Sequence, residues 1–182
     1  MIRPDRRLFL FSGLALAACG SGADAQNATR TAIDGEIFEA PGIVPMGEAE
    51  IDYAAQTENW WRQRLSEAEF RVLRRDGTER PGSSPLNAEE RDGLYVCAGC
   101  ALPLFSSRTK FESGTGWPSF WAPLEGAVET KPDNRLWTPR TEYHCTRCKG
   151  HQGHVFDDGP RPTGQRWCNN GVALAFVPRP SA

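Results

Sequence analysis

Two pairs of closely spaced cysteines, Cys97-Ala98-Gly99-Cys100 and Cys145-Thr146-Arg147-Cys148, restrict what this chain can fold into more than any other feature. A C-x-x-C turn points two sulfurs the same way, and two such knuckles offer four thiolates tetrahedrally to one Zn²⁺. Forty-four residues lie between the pairs, more than a minimal zinc ribbon needs, so the knuckles tie together hairpins distant in sequence. Four cysteine ligands leave no coordination position open. Zn²⁺ here, one per chain, is therefore structural, and its binding contributes directly to folding. Two disulfides are the competing reading if the chain is exported to an oxidising compartment. A redox C-x-x-C of thioredoxin type needs a βαβ context, which the pattern lacks. His144 beside the second knuckle reads as a surface neighbour rather than a ligand.

The 182 residues amount to one domain with extensions, and the net charge of −2 carries no basic excess of the kind nucleic acid attracts. Six Trp, nine Phe and three Tyr suffice for a core, while eighteen Gly and fourteen Pro demand many turns. This balance favours a loop-rich, mainly β (α+β) domain over a helical bundle.

The first nineteen residues read as an export leader and are set apart from the fold. Arg3, Arg6 and Arg7 make a positive start, and Leu8–Ala18 is an apolar run too short for a permanent membrane span. Leu16-Ala17-Ala18-Cys19 resembles the lipobox of bacterial lipoproteins, which implies cleavage before Cys19 and a lipid anchor on its sulfur. Arg6-Arg7-Leu8-Phe9-Leu10 resembles a twin-arginine export signal. The leader thus predicts an exported, periplasmic, membrane-anchored lipoprotein. Residues 20–49 read as a flexible tether and an N-terminal arm, because Gly20–Arg30 is small and polar and has little to bury. The globular domain is expected over 50–182.

Apolar residues at helical spacing (Trp60, Trp61, Leu65, Phe70, Val72, Leu73) predict short helices near 55–65 and 67–75. Ser66-Glu67-Ala68-Glu69 fits a capping box, and Gly77 after Arg74 and Arg75 fits a helix stop. This segment is expected to serve packing rather than chemistry.

Three later stretches carry residues suited to catalysis. Phe111–Trp121 sets Gly114, Gly116 and Pro118 among four aromatics, so that Trp117 either lies exposed as a slot for a small apolar group or sits in a core corner. His151-Gln152-Gly153-His154 places two histidines three residues apart. With zinc satisfied by sulfur, they are proton donors near a nucleophile, oriented by Asp158, or surface residues. Arg166-Trp167-Cys168-Asn169-Asn170 precedes the apolar run Val172–Val177, which reads as a buried strand. If the strand begins near Arg166, then Arg166, Cys168 and Asn170 share one face and Trp167 and Asn169 the other. A cation beside a lone thiol lowers its pKa; the alternative is a buried, inert cysteine.

Gly114-Thr115-Gly116-Trp117-Pro118-Ser119-Phe120, His151–Phe156, Asp158-Gly159-Pro160 and Arg166–Asn170 together resemble the motifs of methionine sulfoxide reductase B, and Gly77–Leu86 resembles that family's preceding loop. The likeness runs in family order over about residues 57–178. It implies two twisted antiparallel sheets in an open barrel or tent, with short N-terminal helices and a Cys₄ zinc site. It also implies reduction of methionine-R-sulfoxide, mainly in proteins and peptides. Carried over residue by residue, Cys168 attacks, Arg166 helps hold it ionised, and Trp117 walls the S-methyl group with Phe120 as neighbour. His151, His154 and Asn170 bind or protonate the sulfoxide oxygen, and Asp158 supports them.

The chemistry is coherent from elementary grounds. A sulfoxide oxygen leaves only when protonated, so nucleophile and acid are both required, and attack leaves Cys168 as a sulfenic acid. Many family members have a resolving cysteine where this chain has Thr115. With four cysteines on zinc and Cys19 lipidated, regeneration falls to an external thioredoxin-like thiol, and the chain is expected to act as a monomer. Trp167 is a second departure, tolerable if it faces away from the sulfur. The rival reading from another class is a non-catalytic zinc β-fold that binds ligands or acts as a chaperone; it needs Trp117 but not Cys168.

Overall fold

The structure, a computed structural model, describes residues 43, 49–135 and 137–180. The leader with Cys19, the tether and nearly all of the arm lie outside the described residues.

Two short helices open the domain. Helix α1 (Glu58–Arg62) is capped by Thr57, whose hydroxyl accepts from the Trp60 amide. Helix α2 (Glu67–Arg75) begins with the expected capping box: Ser66 Oγ accepts from the Glu69 amide, and the Glu69 carboxylate accepts from the Ser66 amide at 2.7 Å. Gly77 is not the left-handed residue that ends α2; Asp76 is, at φ 49°. A short polar side chain tolerates that conformation. Gly77 is required for a different reason: a Cβ there would stand 2.8 Å from the Arg71 carbonyl oxygen, while its amide donates to that oxygen.

Among the described residues nine strands follow, all paired antiparallel, in two sheets. Strands β1 (Gly93–Cys97), β2 (Pro103–Ser106) and β9 (Leu174–Pro178) form a three-stranded sheet in the order β2-β1-β9. The larger sheet contains β3 (Lys110–Phe111), β4 (Ser119–Phe120), β5 (Val128–Asp133), β6 (Arg140–Cys145), β7 (His151–Phe156) and β8 (Arg166–Asn169), in the order β3-β4-β8-β7-β6-β5. Neither sheet closes on itself, so the domain is mainly β with open sheets and few helices.

The strand expected to run from Arg166 into the apolar segment is two strands in different sheets. A 3-10 turn over Gly171–Ala173 separates them. Glu79 holds that turn: its carboxylate accepts from the Gly171 amide at 2.5 Å and the Val172 amide at 3.1 Å, the donors a helical start leaves unpaired.

In the core, Trp61, Leu73, Tyr95, Leu104, Phe105, Phe120 and Tyr143 are almost wholly buried. Phe105 and Phe120 stack at 4.2 Å between centroids, and Tyr143 meets Trp167 edge-on at 5.0 Å. Phe120 therefore belongs to the core, which corrects its assignment as a neighbour of the substrate's methyl group. It pairs with Trp167 across β4 and β8, one residue out of step with Ser119 and Cys168, and so points to the opposite face. Trp167 faces the core as expected.

The knuckles sit where the sheets meet. The first follows β1 of the small sheet, and the second lies between β6 and β7 of the large one. Their four sulfurs consequently link the sheets.

Candidate active site

A single row of side chains crosses the face of the large sheet away from the core. Register places Lys131 opposite Glu142, Glu142 opposite His154, His154 opposite Cys168, and Cys168 opposite Ser119. Cross-strand partners share a face, so five strands contribute to one line of polar groups with Cys168 near its end.

His151 joins this row through a break in the ladder. Tyr143 and His144 are adjacent on β6, yet they face Gly153 and His151, which leaves Gln152 as an extra residue on β7. The bulge reverses the alternation, so residues three apart share a face, and the two imidazoles meet at 5.4 Å. Gln152 turns inward, where its amide donates to Cys97 Sγ at 3.3 Å and its oxygen accepts from Asn169 Nδ2 at 3.3 Å.

Both histidines are anchored by buried carboxylates that the sequence reading did not single out. His151 Nδ1 lies 2.7 Å from Glu142 Oε1, and His154 Nε2 lies 2.8 Å from Asp133 Oδ2. Burial pushes the Glu142 carboxyl up, but His144, His151 and Lys131 outweigh it and bring it down to about 2. Arg135 holds Asp133 far below the ordinary carboxylate range against burial, with help from His154 and Arg140. Both carboxylates are thus ionised and can only accept, so each anchored ring nitrogen carries the hydrogen. Burial moves His154 down, against Asp133. His151 Nε2 is buried and has no hydrogen-bond partner among the described residues.

Asp158 does not orient the histidines. Its carboxylate accepts two bonds from Arg166, at 2.8 Å each, because Asp158 follows the end of β7, where Phe156 is the register partner of Arg166. Arg166 also lies over the Phe156 ring at 4.2 Å. Cys168 is half-buried, and burial pushes its thiol up. Arg166 pulls the other way, as expected of a cation, followed by Thr115 and Ser119, but burial prevails. The balance of these groups favours the neutral thiol over the thiolate.

Asn170 lies beyond the end of β8, its amide committed to the backbone: Nδ2 donates to the Gln152 carbonyl at 2.8 Å, and Oδ1 accepts from the Glu79 amide at 3.0 Å. The half-buried Trp117 donates its indole N–H to the Glu79 carbonyl at 3.3 Å. Glu79 thus clamps Trp117, Asn170 and the turn after β8 together. The segment expected to serve packing alone also shapes the site, and the only sequence signal was the Gly77–Leu86 motif.

Cys97, Cys100, Cys145 and Cys148 are buried, and their sulfurs all lie within 4.8 Å of one another. The nearest pairs, Cys97–Cys148 and Cys100–Cys145, are 3.6 and 3.5 Å apart. Tetrahedral Zn–S bonds of about 2.3 Å would put sulfurs about 3.8 Å apart. Ala101 and Lys149, each following a knuckle, adopt left-handed φ of 58° and 59°. This curls amides back: Ala101 N–H donates to the Cys97 carbonyl at 2.8 Å, Lys149 N–H to the Cys145 carbonyl at 2.9 Å, and Gly150 N–H to Cys148 Sγ at 3.4 Å. N–H donors onto sulfur suit thiolate ligands, so the cluster is compatible with a structural zinc ion. His144 bonds Glu142 and Glu129 instead. Asp76, Glu142 and His151 also converge within 4.8 Å, but Arg135 at 3.3 Å and Lys131 at 3.5 Å already neutralise the carboxylates, giving an ion-pair network.

Comparison with known proteins agrees with this geometry. Residues 65–178 match the SelR domain family. The chain is 46% identical over 127 residues to peptide methionine sulfoxide reductase MsrB of Hahella chejuensis, covering 69% of this chain and 91% of that one. It is 49% identical over 130 residues to the same-named protein of Pseudomonas savastanoi pv. phaseolicola, covering 71% and 99%. With that of Methanosarcina mazei it shares 49% over 123 residues, covering 67% and 88%.

Proposed function

This chain belongs to the methionine sulfoxide reductase B family and is an oxidoreductase acting on methionine sulfoxide; from that premise we propose that it reduces the R epimer, bound in proteins and peptides, through the thiol of Cys168. The observation that carries the reading is the row itself, with Cys168 beside His154 and a buried, unpartnered His151 Nε2 close by.

The substrate's methyl group lies against Trp117 and its oxygen faces the histidines. Cys168 Sγ attacks the sulfoxide sulfur, and the S–O bond breaks as oxygen passes to the cysteine. The thiol proton balances the step: Cys–SH and sulfoxide give Cys–SOH and the thioether. With its Nδ1 hydrogen held by Glu142, the His151 ring offers a bare Nε2, which takes up the thiol proton and, as the imidazolium, gives it to the departing oxygen, while His154 completes the row beside the sulfur. Glu142 and Asp133 keep the rings oriented, and Arg166 offsets charge developing on the sulfur. Asn170 acts by fixing the Glu79 loop. Regeneration follows with two external thiols: the sulfenic acid condenses with the first, losing water, and the second displaces Cys168 from the mixed disulfide. A thioredoxin-like dithiol fits this chemistry. The four knuckle cysteines hold a structural zinc ion and take no part.

The leader supports a further part of the proposal: the enzyme is exported and anchored through lipid on Cys19, and it repairs oxidised exported proteins as a monomer. Labelled palmitate should enter the wild-type protein and not Cys19→Ser; equal labelling would remove the anchor from the account. The catalytic proposal is tested by turnover of dabsylated R- and S-methionine sulfoxide with a dithiol. R-only activity is expected, and turnover of both epimers would overturn the stereochemical reading.

A further inference from the structure

At the Ser119 end of the row lies a chain of hydroxyls with no part in the steps above. Ser113 Oγ is 2.8 Å from Thr115 Oγ1 and 2.8 Å from Ser119 Oγ, and the Ser119 hydroxyl also reaches the Trp117 carbonyl at 3.1 Å. Ser119 is the register partner of Cys168 across β4 and β8, so its hydroxyl, linked through Ser113 to that of Thr115, lies on the same face as the sulfur, and both hydroxyls draw the thiol down against burial. The backbone fixes Thr115 there. Gly114 and Gly116 flank it at φ 71° and 87°, and the Gly116 carbonyl accepts from the Gly82 amide at 2.7 Å and Asn87 Nδ2 at 3.0 Å. A Cβ on Gly116 would stand 2.9 Å from the Gly82 nitrogen, so the turn admits no larger residue.

Three hydroxyls carry three protons, and the chain can satisfy itself in two directions. With Cys168 neutral it runs from Thr115 to Ser113 to Ser119 to the Trp117 carbonyl, and the S–H donates to a hydroxyl oxygen. With Cys168 ionised it runs from Ser119 to Ser113 to Thr115 to the sulfur. Every hydroxyl still donates once: the bond to Trp117, the longest, and the weak S–H donation are given up, and a bond onto the charged sulfur is gained. A bond onto an anion is about twice as strong as a neutral one, so the reversal favours the charged sulfur.

We propose that Ser113, Thr115 and Ser119 form a reversible hydrogen-bond donor that stabilises the Cys168 thiolate as it forms, on the flank opposite the histidines. Thr115 and Ser119 are the two hydroxyls that turn to the sulfur; Ser113 is a positioning residue that acts through them. The chain offsets part of the burial that keeps the thiol protonated, and it does so without a fixed charge that would also hold the resting enzyme ionised.

The inference rests on Cys168 being the reactive thiol, and the test reads that thiol without turnover. Full-length, zinc-loaded protein is alkylated with iodoacetamide across a pH series, and modification of the Cys168 peptide is followed by mass spectrometry. Thr115→Val should slow alkylation at neutral pH about tenfold and move the profile to higher pH. Thr115→Ser, which restores the hydroxyl, should return the wild-type profile, and Ser113→Ala should slow alkylation by about threefold. Zinc content and melting temperature serve as controls for folding. Overlaying profiles for wild type, Thr115→Val and Ser113→Ala would overturn the proposal, as would failure of Thr115→Ser to restore. Should Thr115→Val not fold, Ser113→Ala decides the matter alone. A shifted profile in a chain that reduces no sulfoxide would keep the hydroxyl chain and refute the function.

Discussion

Five described cysteines divide into two environments, and under the proposed function the contrast separates four structural sulfurs from one reactive one. The knuckle sulfurs are buried, crowded together and backed by curled amides at the junction of the two sheets. Cys168 stands alone and half-buried on the open face, between hydroxyls on one strand and imidazoles on the other. The corner is compatible with a structural zinc ion, which would satisfy all four thiolates. The row leaves its thiol uncommitted, and in the proposal above the neighbouring hydroxyls favour the anion as it forms. Gln152 connects the two, donating to Cys97 Sγ and accepting from Asn169, the neighbour of Cys168.

The largest effects should separate the two environments cleanly. Cys168→Ser is expected to lower kcat/KM for the sulfoxide by more than about 10³-fold while zinc content and melting temperature stay at wild-type values. Cys97→Ser should do the reverse in kind: zinc is lost and the thermal transition broadens or disappears, with activity falling because the fold does. If Cys97→Ser kept its melting temperature, the corner would not be the staple described above.

The carboxylate anchors sharpen the comparison on the catalytic side. Glu142→Gln should reduce kcat about 10–100-fold, with zinc retained, because His151 loses the acceptor that fixes its ring. The same residue predicts a pH dependence. Its carboxyl is depressed to about 2 in the fold from an ordinary 4.5, so its stabilisation is complete above about 4.5 and disappears as pH falls towards 2. Acid titration followed by circular dichroism should show a shallower stability loss over that window in Glu142→Gln.

Smallest on activity is the core test: Phe120→Leu should destabilise by about 1 kcal/mol and leave the KM for sulfoxide within about twofold. A large selective rise in KM would return Phe120 to the substrate slot.

The sequence disclosed the elements whose logic is local. The capping box at Ser66 and Glu69, the knuckles and the alternation that turns Trp167 away from Cys168 all depend on neighbours a few residues off, and all are present. What escaped depends on register. Phe120 lies next to Ser119 in sequence but on the opposite face, and only the β4–β8 pairing separates the methyl slot from the core. Asp158 lies four residues from His154, yet the strand end sends it to Arg166. The actual anchors, Glu142 and Asp133, come from β6 and β5, where a carboxylate on an edge hairpin carries no local signature. The bulge at Gln152, which lets two histidines three apart share a face, is likewise a property of the ladder. Glu79 reaches across ninety-odd residues to cap the turn after Asn170.

One measurement bears most directly on the division between the cysteines. Full-length protein is given a single equivalent of methionine-R-sulfoxide without reductant, trapped with dimedone and mapped by mass spectrometry, with zinc quantified in parallel. The account predicts one dimedone adduct on Cys168, one retained zinc per chain, and no adduct or disulfide on Cys97, Cys100, Cys145 or Cys148. A disulfide between Cys168 and any knuckle cysteine, or zinc released in step with turnover, would contradict it.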